Sequence, residues 1–172
     1  MILLIVMIRI LIAVLVIIGA LLLPSGVVFA QVNNSSASAQ VMQVEQVANL
    51  RDRLLERIIL FFKFNPSSSE EYQSLLVEKR LAEVKYVVDS NNWDPIEETS
   101  SRYSSYLGRL TKFVIDHKMT NKKDDLLNLY KRHQQVLEQL VKNFEYNSGF
   151  WLLLQHDINA NKIYQQQIQD LK

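Results

Sequence analysis

The sequence predicts an all-α protein, an up-and-down antiparallel bundle of four to five helices after an N-terminal signal or anchor segment. Three observations carry that expectation. Apolar residues recur three and four apart from about Val41 to the C-terminus. No segment alternates with the period of two that a strand requires. The breaks between apolar stripes are short and marked by Asn, Pro, Ser or Gly, and short connections make successive helices antiparallel neighbours. No repeat period argues for a solenoid.

The first thirty residues are set apart by composition. Met1–Ile8 is apolar, Arg9 is the single charge, Ile10–Leu23 is an uninterrupted apolar run, and Pro24-Ser25-Gly26 breaks it. Val28-Phe29-Ala30 places small residues where a signal peptidase reads, so cleavage after Ala30 would leave Gln31 as the new N-terminus. The alternative is a retained membrane anchor over Met1–Leu23, long enough to span if Arg9 sits near one interface. Under either reading the rest is exported to the periplasm, the cell surface or the medium. The expected organisation is residues 1–30 as signal or anchor, 31–40 as a flexible linker and 41–172 as the helical domain. The linker, QVNNSSASAQ, is small and polar with nothing to bury; Asn33 and Asn34 fall in N-x-S sequons but read as ordinary linker residues.

The first predicted helix runs from about Val41 to Phe64. Val47, Leu50, Leu54, Ile58 and Phe61 form one stripe, and Leu55, Ile59 and Phe62 widen it, which predicts packing on more than one side. Asn65-Pro66 ends the helix, because proline cannot continue the hydrogen-bond ladder. Ser67 with Glu70, or Ser68 with Glu71, has capping-box spacing and predicts a second helix to about Ser90. Its apolar face, Tyr72, Leu75, Leu76, Ala82, Val84, Val87 and Val88, is interrupted by Lys79, Arg80 and Glu83.

Asp94-Pro95-Ile96-Glu97 combines a preferred N-cap, a proline at the first helical position and a capping glutamate, so a third helix should start there. It carries Tyr103, Tyr106, Leu107, Leu110, Phe113, Val114 and His117 on one face, with Gly108 marking a close approach to a neighbour. Thr120-Asn121 precedes a fourth helix with Leu126, Leu129, Tyr130, His133, Leu137, Leu140, Val141 and Phe144 at helical spacing. Asn147-Ser148-Gly149 then either breaks or kinks the chain before a last segment containing Phe150, Trp151, Ile158, Tyr164, Ile168 and Leu171.

The region from Arg51 to Lys85 also carries a resemblance. A basic-acidic helix start (Arg51, Arg53, Glu56), a bulky run from Ile58 to Phe64, an Asn-Pro break and the sequence Arg80-Leu81-Ala82-Glu83 are similar to a bacterial extracytoplasmic helical domain family of unknown function. Arg132–Leu140 looks like that family's penultimate helix. Asn65 before Pro66 and Lys79 before Arg80 stand where acidic residues are usual. The resemblance implies an α-helical fold and an exported location, and no activity, ligand or catalytic residue.

Composition bounds the function. With Arg9 set aside from the 19 Lys and Arg residues, the remainder equals the 18 Asp and Glu, so the domain lacks the positive charge of a nucleic-acid binder. There is no cysteine, hence no disulfide and no lipidated N-terminal cysteine, and no nucleophile elbow or glycine-rich phosphate loop among only four glycines. No Glu-x-x-His pair or His-x-x-x-His spacing exists, and His117, His133 and His156 read as isolated histidines, so neither metal nor cofactor is expected. Arg80 and Glu83, with Glu56 across the hinge, are expected to form a partly buried charge pair that fixes helix register. Phe61, Phe62 and Phe64 with Phe150 and Trp151 are expected to pack between the hairpin of the first two helices and the last helix, or to leave an aromatic patch that takes a helix from a partner or a second copy. The expected function is non-catalytic protein binding in the cell envelope, by an unknown envelope protein or self-association, with membrane contact only through an uncleaved N-terminal segment. A sensor or carrier holding a small apolar ligand between helices is the alternative.

Overall fold

The computed structural model describes residues 42–172; the segments expected at 1–30 and 31–40 lie outside the described residues. All regular structure among the described residues is helical: α1 (Leu50–Phe61), α2 (Pro66–Asp89), α3 (Ile96–Asp116), α4 (Lys123–Leu140) and α5 (Gly149–Gln169). Short 3-10 turns at Thr120–Lys122 and Val141–Asn143 flank α4.

Helix ends follow local chemistry and correct several expected boundaries. The first helix begins at Leu50 rather than near Val41, because Asn49 makes the better cap. Its side chain accepts the Asp52 N–H at 3.0 Å while the Asp52 carboxylate accepts the Asn49 N–H at 3.1 Å. At α2 the serine capping boxes are not used. Asn65 caps it by accepting the Ser67 N–H at 2.9 Å, Pro66 occupies the first helical position, and Glu70 is freed to turn inward and meet Lys122 at 3.1 Å. The start of α3 is one residue later than Asp94 capping implies: Pro95 is the N-cap residue, without a side-chain cap, and Ile96 is buried at once. A true break separates α4 from α5. Asn147 adopts φ 66°, and the Ser148 hydroxyl oxygen accepts the Trp151 N–H at 3.3 Å.

Successive helices run antiparallel, yet not all are side by side. α2 packs on α3, α3 on α5 and α5 on α4, so α3 and α4 face each other across the core. Their link is made by side chains, Tyr103 to His133 and Thr111 to Tyr130 at 2.9 Å. α3 and α5 consequently run parallel, with Ser104 beside Asp157 and Gly108 beside Tyr164. A Cβ built on Gly108 would stand 2.6 Å from the Tyr164 hydroxyl, the close approach that the sequence suggests. The core between these four helices is filled by Leu81, Val84, Tyr103, Leu107, Leu110, Tyr130, Leu137, Leu154 and Ile168, all fully or almost fully buried.

α1 stays outside that core. Leu50, Leu54 and Phe61 are 74%, 51% and 74% exposed, and the one buried residue of the helix is Glu56. The expected apolar packing of α1 on more than one side is therefore corrected: its apolar stripe points away from the bundle and its acidic residue points in.

Candidate functional site

The seat of α1 is electrostatic. Arg80 projects from the middle of α2, fully buried, between two carboxylates: Glu83 one turn along receives Nη1 at 2.5 Å, and Glu56 on α1 receives Nη2. Lys79 adds a bond to the other oxygen of Glu56 at 2.8 Å, and the guanidinium lies 4.8 Å from the centre of the Tyr106 ring. Burial alone would lower the Arg80 pKa, but the charges of Glu83 and Glu56 outweigh it and hold the group above its ordinary value. Burial, reinforced by Glu56, pushes the Tyr72 hydroxyl up to about 12. Glu83 also accepts the backbone N–H of Ala48 at 3.1 Å, and Arg102 donates to the Ala48 carbonyl at 3.1 Å. The chain before α1 is thereby fixed to α2 and α3, and Arg53 meets Glu98 at 3.4 Å. The expected trio Glu56, Arg80 and Glu83 thus sits together as one cluster.

The opposite face of α1 follows from that seat. At 100° per residue, Leu50, Leu54 and Phe61 fall within about 40° of one another, and Glu56 lies about 140° from their centre. Arg57 lies about 40° from the centre of the stripe, at the rim of the cleft that Glu56 and Tyr106 also line, and is exposed with no ion pair among the described residues. Phe62 and Phe64 continue the apolar surface past the helix end at 60% and 83% exposure. Phe61, Phe62 and Phe64 stack edge to face on one another, with centroids 5.5 and 6.4 Å apart, and Lys63 between them reaches over the Tyr72 ring at 5.8 Å.

Phe150 and Trp151 do not join this surface, so neither expected arrangement of the five aromatics is made. Phe150 stacks on Trp93 and Phe144, and Trp151 on Tyr146. Trp93 follows the C-terminal end of α2 whereas Phe61, Phe62 and Phe64 stand at its N-terminal end, roughly 35 Å away along a 24-residue helix. The expected packing of these aromatics between the hairpin and the last helix fails because the Phe run stands at the α1–α2 hinge, at the other end of α2 from Phe150.

A second polar cluster lies within the bundle. Tyr103 Oη stands 3.2 Å from His133 Nδ1 and accepts from Asn161 Nδ2 at 3.0 Å. His133 Nε2 lies 3.2 Å from Glu78, which also receives Arg132 at 2.7 Å. Burial would raise the Glu78 pKa, but hydrogen bonding and charge from His133 and Arg132 hold it below the ordinary value. Asp157, fully buried beside Ser104, is pushed up to about 6 by burial, against the hydrogen bonds of Ser104 and Ser100 and the charge of His156. Asp157 and Asn161 were not anticipated from the sequence. Their positions three and seven residues after Leu154 fall on the buried stripe of α5, and that spacing is the signal that could have found them.

His117 and His156 are exposed and His133 is buried, and no group of three or more metal-ligating side chains is found among the described residues. The surface of the described residues carries a cleft of about 40 Å³ beside Glu56, Leu60 and Tyr106, and an open hollow of about 630 Å³ bordered by Arg109, Lys112, Asp116, Tyr164 and Gln167. The former is too small for an organic ligand, and the latter is a shallow hollow wide open to solvent. Comparison with protein-family models, with curated proteins and with solved structures returns no match to this chain.

Proposed function

We propose that this chain is a non-catalytic binding domain of the cell envelope, exported by its N-terminal apolar segment, and that it docks on another envelope component through the outward face of α1. One observation carries the reading: an apolar helical stripe stands outside a filled core, on a helix held in place by buried charges. A helix seated by its apolar side would have that surface hidden; here the ion pairs orient it for contact with something else. The resemblance of the Arg51–Lys85 region to an exported helical family points the same way. A ligand carrier finds less support, since the four-helix core is filled by side chains.

The test is site-specific photocrosslinking in cells, with the crosslinker at Leu54 or Phe61 and a reference at Ile163, an exposed residue of α5. Discrete adducts at the α1 positions and none at Ile163 are expected. Equal, diffuse labelling at all three positions would overturn the reading.

A further inference from the structure

We infer that the occupant of the α1 face is the anionic surface of a lipid bilayer, an inference that rests on the binding role of this face. Charge is the first argument. The acidic residues of α1 are engaged on the protein side, Glu56 by Arg80 and Lys79 and Asp52 in the helix cap, while Arg57 and Lys63 border the apolar stripe and have no carboxylate partner among the described residues. An apolar stripe edged by cations that no carboxylate neutralises matches acyl chains below and anionic headgroups above.

The same charges argue against a second copy of the chain. A two-fold contact centred on the Arg57–Lys63 end of this helix, where the apolar run is widest, would set the cations of one copy near those of the other. Size argues likewise. A stable protein interface uses about 20 to 30 residues a side, whereas the outward surface here is one twelve-residue helix and the Phe run after it. Shape is the third argument. Phe61, Phe62 and Phe64 stack on one another at an exposed bend, ready to enter the boundary between headgroups and acyl chains to a depth of about 5 to 10 Å.

The absence of cysteine allows a clean test on the full chain. Single variants Phe64→Cys and Ile163→Cys would carry an environment-sensitive fluorophore, and the chain would be reconstituted with phosphatidylcholine vesicles with or without phosphatidylglycerol, containing lipid-borne quenchers. Quenching at position 64 well above that at position 163, strongest with phosphatidylglycerol and weakened by salt, is the expected result. Arg57→Gln and Lys63→Gln should each lower the apparent partitioning of the label about fivefold. A label at 64 no more quenched than that at 163 on anionic vesicles would overturn the inference. If crosslinking in cells still gave a discrete protein adduct at Leu54 or Phe61, the binding role would stand with a protein as occupant; failure of both experiments would overturn both.

Discussion

Arg80 shows what one buried charge does to a small domain. Its guanidinium is enclosed by Glu56 and Glu83, so Arg80→Met leaves Glu83 buried without a cation and Glu56 with Lys79 alone, and should destabilise the fold by about 3 to 5 kcal/mol in urea denaturation. Replacing all three with Met should recover most or all of that loss, because a buried ion cluster adds little net stability over apolar packing. Asp157 acts in the opposite sense. Its carboxyl is raised to about 6 in the folded protein from an ordinary 3.8. Between those values the folded chain retains a proton that the unfolded chain has lost, so stability falls as pH rises from about 4 to about 6 and stays lower above. Asp157→Asn should remove that slope and raise stability at pH 7 by roughly 2 to 3 kcal/mol, measured by denaturant titration across this pH range. These two residues differ in legibility. Arg80 is conspicuous inside an apolar stripe, whereas Asp157 stands among Gln, Asn and Lys residues and its inward position emerges only from its spacing to Leu154.

Between helices, the sequence is informative where side-chain periodicity alone decides packing. The buried faces of α3 and α4 are those that their apolar spacing predicts, with His117 as the exposed exception. α1 is different because two drives compete: burying a stripe that contains Leu50, Leu54 and Phe61, or pairing Glu56 with Arg80. A periodicity argument sees only the first. Cap residues also compete locally, which is why Asn65 displaces the serines and Pro95 displaces Asp94. The α3–α5 contact can be tested at Gly108. Alanine there gains about 1 kcal/mol of helix propensity but must displace Tyr164. Gly108→Ala should therefore be neutral or destabilising alone and stabilising by about 1 kcal/mol in a Tyr164→Ser background, a coupling that thermal denaturation of the double-mutant cycle would reveal. Equal effects in both backgrounds would show that the ring is not the obstacle.

Taken whole, the described chain has a four-helix body and a first helix attached by ion pairs and a short hinge. That division predicts uneven stability. In native-state hydrogen exchange, α1 amides should open with a lower free energy than those of the central turns of α2 to α5, and Glu56→Gln should accelerate exchange in α1 while leaving the body nearly unchanged. Uniform acceleration would instead show that α1 is integral to the body. The count of helices and their antiparallel order are legible because chain breaks and apolar periods are local properties. Which helices become neighbours is decided by fit over long separations, such as Ser104 with Asp157 or Tyr103 with Asn161, and no local pattern records it.

The pairing of α3 with α5 has a consequence for synthesis. A ribosome delivers α3 and α4 before α5, yet both pack on that later helix. A chain interrupted before Gly149 would lack Leu154, Ile158 and Ile168 and leave the facing sides of two finished helices uncovered. Delivery of α5 therefore closes the core, and chains terminated before it should be marked for proteolysis by the apolar surface they still display.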